Sequence, residues 1–484
     1  MSLRSSAPPA EAGNLRPNTI GLPGVLFQSI TTMAPASAVT YSLGAALPHA
    51  GAALPLAVFI TLVISVFIAL SIGALARHLP SAGGFFTYLS HALGTYVGWL
   101  AGWLFDLAYL LIVPFQLLVL GPVADSFANT YLHLSFGPNG WAIWAAIFAI
   151  VIFALTYFGI KISADVGVVL GAIEIGVFVL LAIWLIVDAG SNNTLVVFSP
   201  ASSANQGFGG WQGVLVGMVF VVLAFAGYES SAPLAEETRQ PRRTVPQAIV
   251  LAALLIGIFY VFCSYAGIVG WGIDKIGTYT GDVNAWSTLA QRVWGPFSLV
   301  ISLAILNSAL ANSNAGVNAV TRVLYAMGRV RALPVSLAHL NRFRVPDLAI
   351  ILTMVLAVIL ALWPGFVYGP TSAFALLGTI IALPIIFVYL ATCVAVPVYY
   401  LRTRRQEFNA LLHLIVPAIP ALVLLVVFYF QVVPLPAPPL NLAIFIFGGW
   451  FVLGLLIVIL LGLRAPGVLA RGNRVYLEGG DTAS

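Results

Sequence analysis

Apolar runs of about 20 to 30 residues, separated by short polar connectors, recur along the chain. About 20 residues at 1.5 Å each span the hydrocarbon core of a bilayer, so each run is long enough to cross as a helix. Twelve spans are predicted, at about 21–46, 52–76, 96–124, 141–160, 163–187, from Trp211 onward, 246–271, 297–329, 347–363, 372–400, 411–431 and 440–463. Two of them break the pattern. The middle of span 1 is polar (Gln28, Ser29, Thr31, Thr32, then Met33, Ala34, Pro35, Ala36, Ser37), and Pro35 lacks an N–H and blocks the helical bond to residue 31. Span 6 reads Phe225-Ala226-Gly227-Tyr228-Glu229-Ser230-Ser231 about fifteen residues past Trp211, near mid-membrane. A charge there costs several kcal/mol unless it is paired, protonated or hydrated. Broken backbone at that depth is tolerated only against protein or water. Glu236, Glu237 and the basic stretch from Arg239 to Pro246 follow.

Broken spans at matching positions of two halves point to inverted repeats with a site at the midplane. Spans 1 and 6 are five apart, and five is odd, so the halves have opposite topology. The predicted fold is therefore all-α, about twelve transmembrane helices in a 5+5 inverted repeat with helices 1 and 6 broken. Repeat one covers about 20–188, repeat two about 210–402, and helices 11 and 12 about 411–463. Together they form one membrane domain, 19–464, between tails at 1–18 and 465–484.

Composition agrees with a polytopic membrane protein. Of 484 residues, 61% are hydrophobic and 7% charged, with mean hydropathy +1.04, against about 25% charge in soluble domains. The net charge of +5 does not indicate nucleic acid, because the basic residues sit between spans. Eighteen of the twenty, among them Arg4, Arg16, Arg77, Lys161, Arg239, Arg322, Arg404 and Arg474, fall in segments on one side; Lys275 and Arg292 fall on the other. The positive-inside rule then places both termini in the cytoplasm and the chain in the cell membrane. The first twenty residues are polar with no apolar run, so no cleavable signal peptide is expected. Cys263 and Cys393 lie in apolar spans, which excludes a surface disulfide and a structural zinc site. No His-rich metal set, nucleophile elbow or Gly-rich phosphate loop followed by Lys occurs, so neither cofactor nor catalytic activity is expected and ATP does not drive the process. Nothing resembles a carbonyl filter or a ring of acids, which argues against a channel.

The candidate chemistry is sparse. Asp106, Glu174 and Glu229 are the acids within spans. Glu174 follows Gly167 and Gly171 on one helix face that can approach a neighbour closely, and a carboxyl there either holds and releases a proton or makes a fixed interhelical hydrogen bond. Asp106 reads as structural. Span 8 carries Asn307, Asn314 and Asn318 on one stripe, as interhelical glue, with Ser308 and Asn312 facing span 1 as a candidate cation or proton site. Tyr109, Phe225, Tyr228 and Phe374 are candidate gates over a small organic substrate. Half-helix N-termini suit a carboxylate and half-helix C-termini an ammonium group, which describes an amino acid. Pro35 removes one donor from the carboxylate end, a change that would cost an amine nothing.

Three motifs carry a family resemblance. Pro80-Ser81-Ala82-Gly83-Gly84-Phe85-Phe86-Thr87-Tyr88, continuing through Gly98-Trp99-Leu100-Ala101-Gly102-Trp103, resembles the span 2–3 signature of the amino acid–polyamine–organocation superfamily. Phe225 to Ser230 with Glu236-Glu237-Thr238 resembles its span 6 signature, and Arg322-Val323-Leu324-Tyr325-Ala326-Met327-Gly328-Arg329 its span 8 exit. The resemblance implies a leucine-transporter-like fold and proton- or sodium-coupled uptake or exchange of amino acids or amines. Ala34-Pro35-Ala36 stands where family members with a Gly-Ser-Gly break bind the substrate carboxylate, and Glu174 where some relatives have a proton-switching lysine. No outer-loop cysteine matches the one that bonds light-chain relatives to a partner, so no covalent partner subunit is expected. The expected function is secondary active transport of amino acids by alternating access, proton-coupled with sodium as the other candidate ion. The alternative is an amine or polyamine importer or exchanger of the same fold. The expected substrate-binding residues are Thr32, Met33, Ala34, Pro35, Ala36, Ser37, Tyr109, Phe225, Ala226, Gly227 and Tyr228, and the coupling or gating residues Glu174, Glu229, Ser308 and Asn312.

Overall fold

A computed structural model describes Leu15 and residues 17–203, 209–282 and 284–471. Most of both predicted tails, with Arg4, Arg16 and Arg474, and the side chain of Lys161 lie outside the described residues. Among the described residues, eleven segments are long and apolar enough to cross a membrane. The first, Leu22–Ala76, has 55 residues, more than twice what one crossing needs, and contains spans 1 and 2.

Span 1 is α1 (Leu22–Thr32), a break, then α2 (Pro35–Ser37), which runs through one π turn into α3 (Leu43–Ala50). Span 2 is α4 (Leu54–Ala76), and α5 (Phe85–Leu93) is the connector after it. Span 3 is α6 (Thr95–Leu110) with α7 (Ile112–Phe127); spans 4 and 5 are α8 (Gly140–Tyr157) and α9 (Ile160–Ala189). Span 6 is α10 (Gly210–Phe225), a break, and a 3-10 helix over Tyr228–Glu237. Span 7 is α11 (Pro241–Trp271), and the next loop folds as two short helices, α12 (Ile276–Gly281) and α13 (Ala285–Trp294), where one was expected. Spans 8 to 12 are α14 (Leu299–Arg329), α15 (Asp347–Tyr368), α16 (Pro370–Thr403), α17 (Val416–Val432) and α18 (Leu442–Arg464).

Lipid is as apolar as leucine, so these helices associate through close packing and hydrogen bonds rather than the hydrophobic effect. The two strongest interrepeat contacts join equivalent members of the halves: α4 lies along α11, and α7 along α14. Span 12 is fastened from outside. Trp103 of α6 and Trp450 of α18 stack at 4.2 Å, and each indole N–H donates to the other residue's carbonyl, at 3.0 and 3.1 Å. The outer helices leave large apolar side chains such as Leu425, Phe445 and Leu463 exposed, as a lipid-facing rim requires. One topology charge does not face solvent. Arg322, counted among the cytoplasm-facing residues, is fully buried inside α14.

Candidate functional site

The two breaks meet. The Met33 amide still bonds back to Ser29 and Ile30, but Ala34 turns left-handed (φ 50°, ψ 63°) and ends α1. Pro35 opens α2 at the first helical position, where a missing N–H costs nothing. On span 6, α10 ends at Phe225, Ala226 is extended (ψ 134°), and Gly227 has φ 127°. A Cβ on Gly227 would lie 2.7 Å from the Thr32 carbonyl carbon and oxygen and 2.9 Å from the Met33 nitrogen. The crossing is backbone against backbone, which only glycine allows.

Protein donors cap the carbonyls that the breaks leave free. The Asn312 carboxamide donates to the Thr32 carbonyl, and the Tyr260 hydroxyl donates to the Met33 carbonyl at 2.5 Å. The Ser29 hydroxyl donates to the Tyr228 carbonyl at 2.6 Å, and the Ser230 hydroxyl to Thr32 Oγ1 at 2.7 Å.

Above this knot lies a small central cavity, with about 40 Å³ of room for water centres. That holds a few waters, so an organic substrate enters only if lining side chains move. Of the expected substrate residues, Thr32, Met33, Ala34, Tyr109, Ala226 and Gly227 line it, as does Asn312 from the coupling set. Pro35, Ala36, Ser37, Phe225 and Tyr228 do not. The Phe225 ring packs edge-on against Tyr260, and Tyr228 stacks on Tyr389. Sequence reasoning missed Gln116, which lines the cavity and accepts from the Ser37 hydroxyl at 3.1 Å. A carboxamide in the apolar span 3 was the available signal. Asn312 Oδ1 is buried without a donor, an acceptor in the cavity wall ready for an N–H.

The buried acids have different settings. Glu229 is fully enclosed: Tyr109 donates to Oε1 at 2.7 Å, and Tyr389 and the Gly227 amide donate to Oε2 at 2.6 and 3.0 Å. Tyr109 stands between it and the cavity. Glu174, in α9, accepts from the Asn307 carboxamide at 2.6 Å, and the Ser308 hydroxyl and the Ala36 amide lie alongside its carboxyl group. Ser308 in turn accepts from the Ser37 amide at 3.2 Å. One carboxyl thus joins α9 to α14 beside the first turn of α2, and its Oε1 is buried without a hydrogen-bond partner. Asp106 is buried, and neither of its oxygens has a hydrogen-bond partner.

The description "Amino acid permease" matches this chain over residues 24–464. The chain belongs to the amino acid permease family. The branched-chain amino acid permease BcaP of Lactococcus lactis subsp. cremoris is 24% identical over 372 residues, 70% of this chain and 72% of its own. The L-asparagine permease of Escherichia coli K12 is 26% identical over 351 residues, 70% and 68% of the two chains. The low-affinity putrescine importer PlaP of the same organism is 25% identical over 332 residues, 63% and 66%. Among solved structures, a closed conformation of Mhp1, a nucleobase-cation-symport-1 family transporter with bromovinylhydantoin bound, aligns with TM-score 0.57 at 14% identity. The alignment covers 96% of this chain and 98% of that one, a likeness of fold.

Within this permease, charged pairs tie the helices together at the end nearest the N-terminus. Glu237 pairs with Arg322 at 3.0 Å, with side chains 4% and 0% exposed, and Arg322 also reaches Asn318 Oδ1 and Thr321 Oγ1. Glu236 receives both terminal nitrogens of Arg329, at 2.8 and 3.0 Å, and the Ala82 amide at 3.0 Å. The amides of Thr19 and Ile20 bond the Glu237 carbonyl, and the Arg239 amide returns to Ile20. The end of span 6 is thereby tied to α1, α14 and the connector before α5. The stripe Asn307–Asn318 proves divided, one end serving Glu174 and the other Arg322.

Proposed function

We propose that this permease is a secondary active transporter of the cell membrane, with both termini cytoplasmic, that moves amino acids by alternating access coupled to protons. The carrying observation is Glu174: a buried carboxyl with a neutral partner on α14, whose Oε1 has no hydrogen-bond partner and which lies beside the half-helix that begins at the break. Protonation adds one O–H donor to a group that otherwise only accepts, and so changes what it can offer the neighbouring Ala36 amide and Ser308. The carbonyls that a cation would take at the end of α1 are occupied by Asn312 and Tyr260, which favours the proton over sodium as the coupling ion. In this reading the two repeats cover about 20–188 and about 210–402 within one membrane domain, 19–464.

The experiment is uptake into proteoliposomes under an imposed pH gradient. Glu174→Gln should abolish accumulation against a gradient while counterflow exchange persists. Accumulation by Glu174→Gln with unchanged pH dependence would remove Glu174 from the coupling step, and a requirement for sodium over choline would remove the proton.

A second reading, transport of an amine, is favoured by the amide inventory. At the start of α2, Pro35 has no N–H, Ala36 faces Glu174, and Ser37 is held by Ser308. The Gly227 amide is taken by Glu229. A buried group in the wall without a partner, Asn312 Oδ1, is an acceptor and suits an ammonium. Comparing an amine with its parent amino acid as counterflow substrates decides between the readings.

A further inference from the structure

The larger cavity lies beyond the central one, at the end of the bundle opposite the ion pairs, with about 340 Å³ of room for water centres. Its floor is the stacked pair Phe115 and Phe374, ring centroids 4.0 Å apart; Phe115 lines the central cavity and Phe374 this one. The rings of Tyr41, Tyr279 and Trp286 line its walls. Among the described residues Asp282 is the charged side chain that lines it, and no Lys, Arg or His does.

We propose that this vestibule is a binding site in its own right, selective for small molecules bearing a primary ammonium group. Three observations converge. Asp282 is held rigid by what it accepts, the Asn284 amide at 2.8 Å on Oδ1 and the Thr288 hydroxyl at 2.7 Å on Oδ2. Each oxygen keeps a further lone pair, so the carboxylate is oriented yet still able to accept from an ammonium. The aromatic faces around it attract cations and repel anions. The basic residues of the outer loops stand outside the cavity, and Arg292 is engaged by Asp188 and the Gly270 carbonyl. A carboxylate in a cleft with low-dielectric walls focuses its field there and concentrates cations above the floor. This site is separate from the central one and holds whether the transported molecule is an amine or an amino acid, since both carry the ammonium.

The test uses a cysteine reporter. Cys263 and Cys393 are buried, so Ser126→Cys, on the vestibule wall, provides the reactive thiol. Cationic and anionic methanethiosulfonates of matched size are compared on the purified protein. A single carboxylate in the same cavity should make the cationic reagent at least about 5-fold faster. Asp282→Asn, which can keep the bond from the Asn284 amide, should bring the ratio near 1, and Asp282→Ser serves if that variant does not fold. Butylamine should slow labelling, whereas butanol and butyrate should not. Protection by norvaline as well would extend the site to amino acids, and its failure would restrict it to amines. A rate ratio unaffected by both Asp282 variants, or protection by butanol equal to that by butylamine, overturns the proposal. None of these readings needs transport, so repeating them on Glu174→Gln separates failure here from failure of the coupling scheme.

Discussion

Replacing Glu237 by glutamine removes the charge that Arg322 faces while keeping the side-chain shape. Breaking one side of a buried ion pair costs about 3–5 kcal/mol, because the remaining charge is left uncompensated. Arg322 keeps Asn318 Oδ1 at 3.2 Å and Thr321 Oγ1 at 3.3 Å, which argues for the lower end, about 3 kcal/mol. That penalty applies to the shut conformation and is relieved when the end near Leu15 opens and Arg322 meets water. The opening equilibrium should therefore move by up to roughly 100-fold, at 1.4 kcal/mol per tenfold. Ser231 is fully buried in the 3-10 stretch of span 6, and its hydroxyl has no hydrogen-bond partner, so Ser231→Cys is a mild reporter. Its labelling by a thiol reagent should rise by one to two orders of magnitude in Glu237→Gln. Pairing Glu237→Leu with Arg322→Met removes both charges and should return labelling to near its starting rate. Labelling that changes less than twofold in the single variant, or as much in the double as in the single, would refute the idea that this pair holds the end closed.

Other perturbations address the crossing, the caged acid and the floor of the vestibule. Gly227→Ala forces a Cβ to within 2.7 Å of Thr32 at a φ of 127°, and should cost at least about 2 kcal/mol and abolish uptake; Gly176→Ala, with nothing within 4 Å, is the control that should retain uptake. Tyr389→Phe leaves Glu229 Oε2 with the Gly227 amide alone, a loss of about 1–3 kcal/mol that should lower the melting midpoint by several degrees in scanning fluorimetry. Phe374→Ala removes the ring stacked 4.0 Å from Phe115 and should speed dissociation of bound substrate by roughly 10-fold in a washout assay.

The breaks were legible in the sequence because their cause is local. Pro35 denies an N–H, Gly227 permits a φ closed to other residues, and both sit among hydroxyls where leucine would be expected. Glu229 was legible as a costly mid-membrane charge. Its relief was not, because Tyr109 and Tyr389 come from spans 3 and 10, and no spacing rule relates residues 120 and 160 positions away. The same distance in sequence hid the partner of Arg322. Read alone, an arginine near the end of a span is a topology signal, and only the position of Glu237, 85 residues earlier, makes it a buried pair. Phe225 and Tyr228 were placed in the substrate site because they flank the break. A break turns its flanking side chains in different directions, and these two point into helix packing.

The 3-10 winding of Tyr228–Glu237 also has a mechanical consequence. A 3-10 helix rises about 2.0 Å per residue against about 1.5 Å for an α-helix, so ten residues in this form reach about 5 Å farther. The winding differs too, 3.0 against 3.6 residues per turn, about 20° at each step. Rewinding the stretch as α-helix would retract Glu236 and Glu237 by nearly one helical pitch and swing Glu237 to the opposite side of the axis relative to Tyr228. Both arginines would lose their partners in that one motion, with Gly227 as its fixed end. The longer reach is what brings the two glutamates to their arginines, and Pro233 within the stretch opposes rewinding as α-helix.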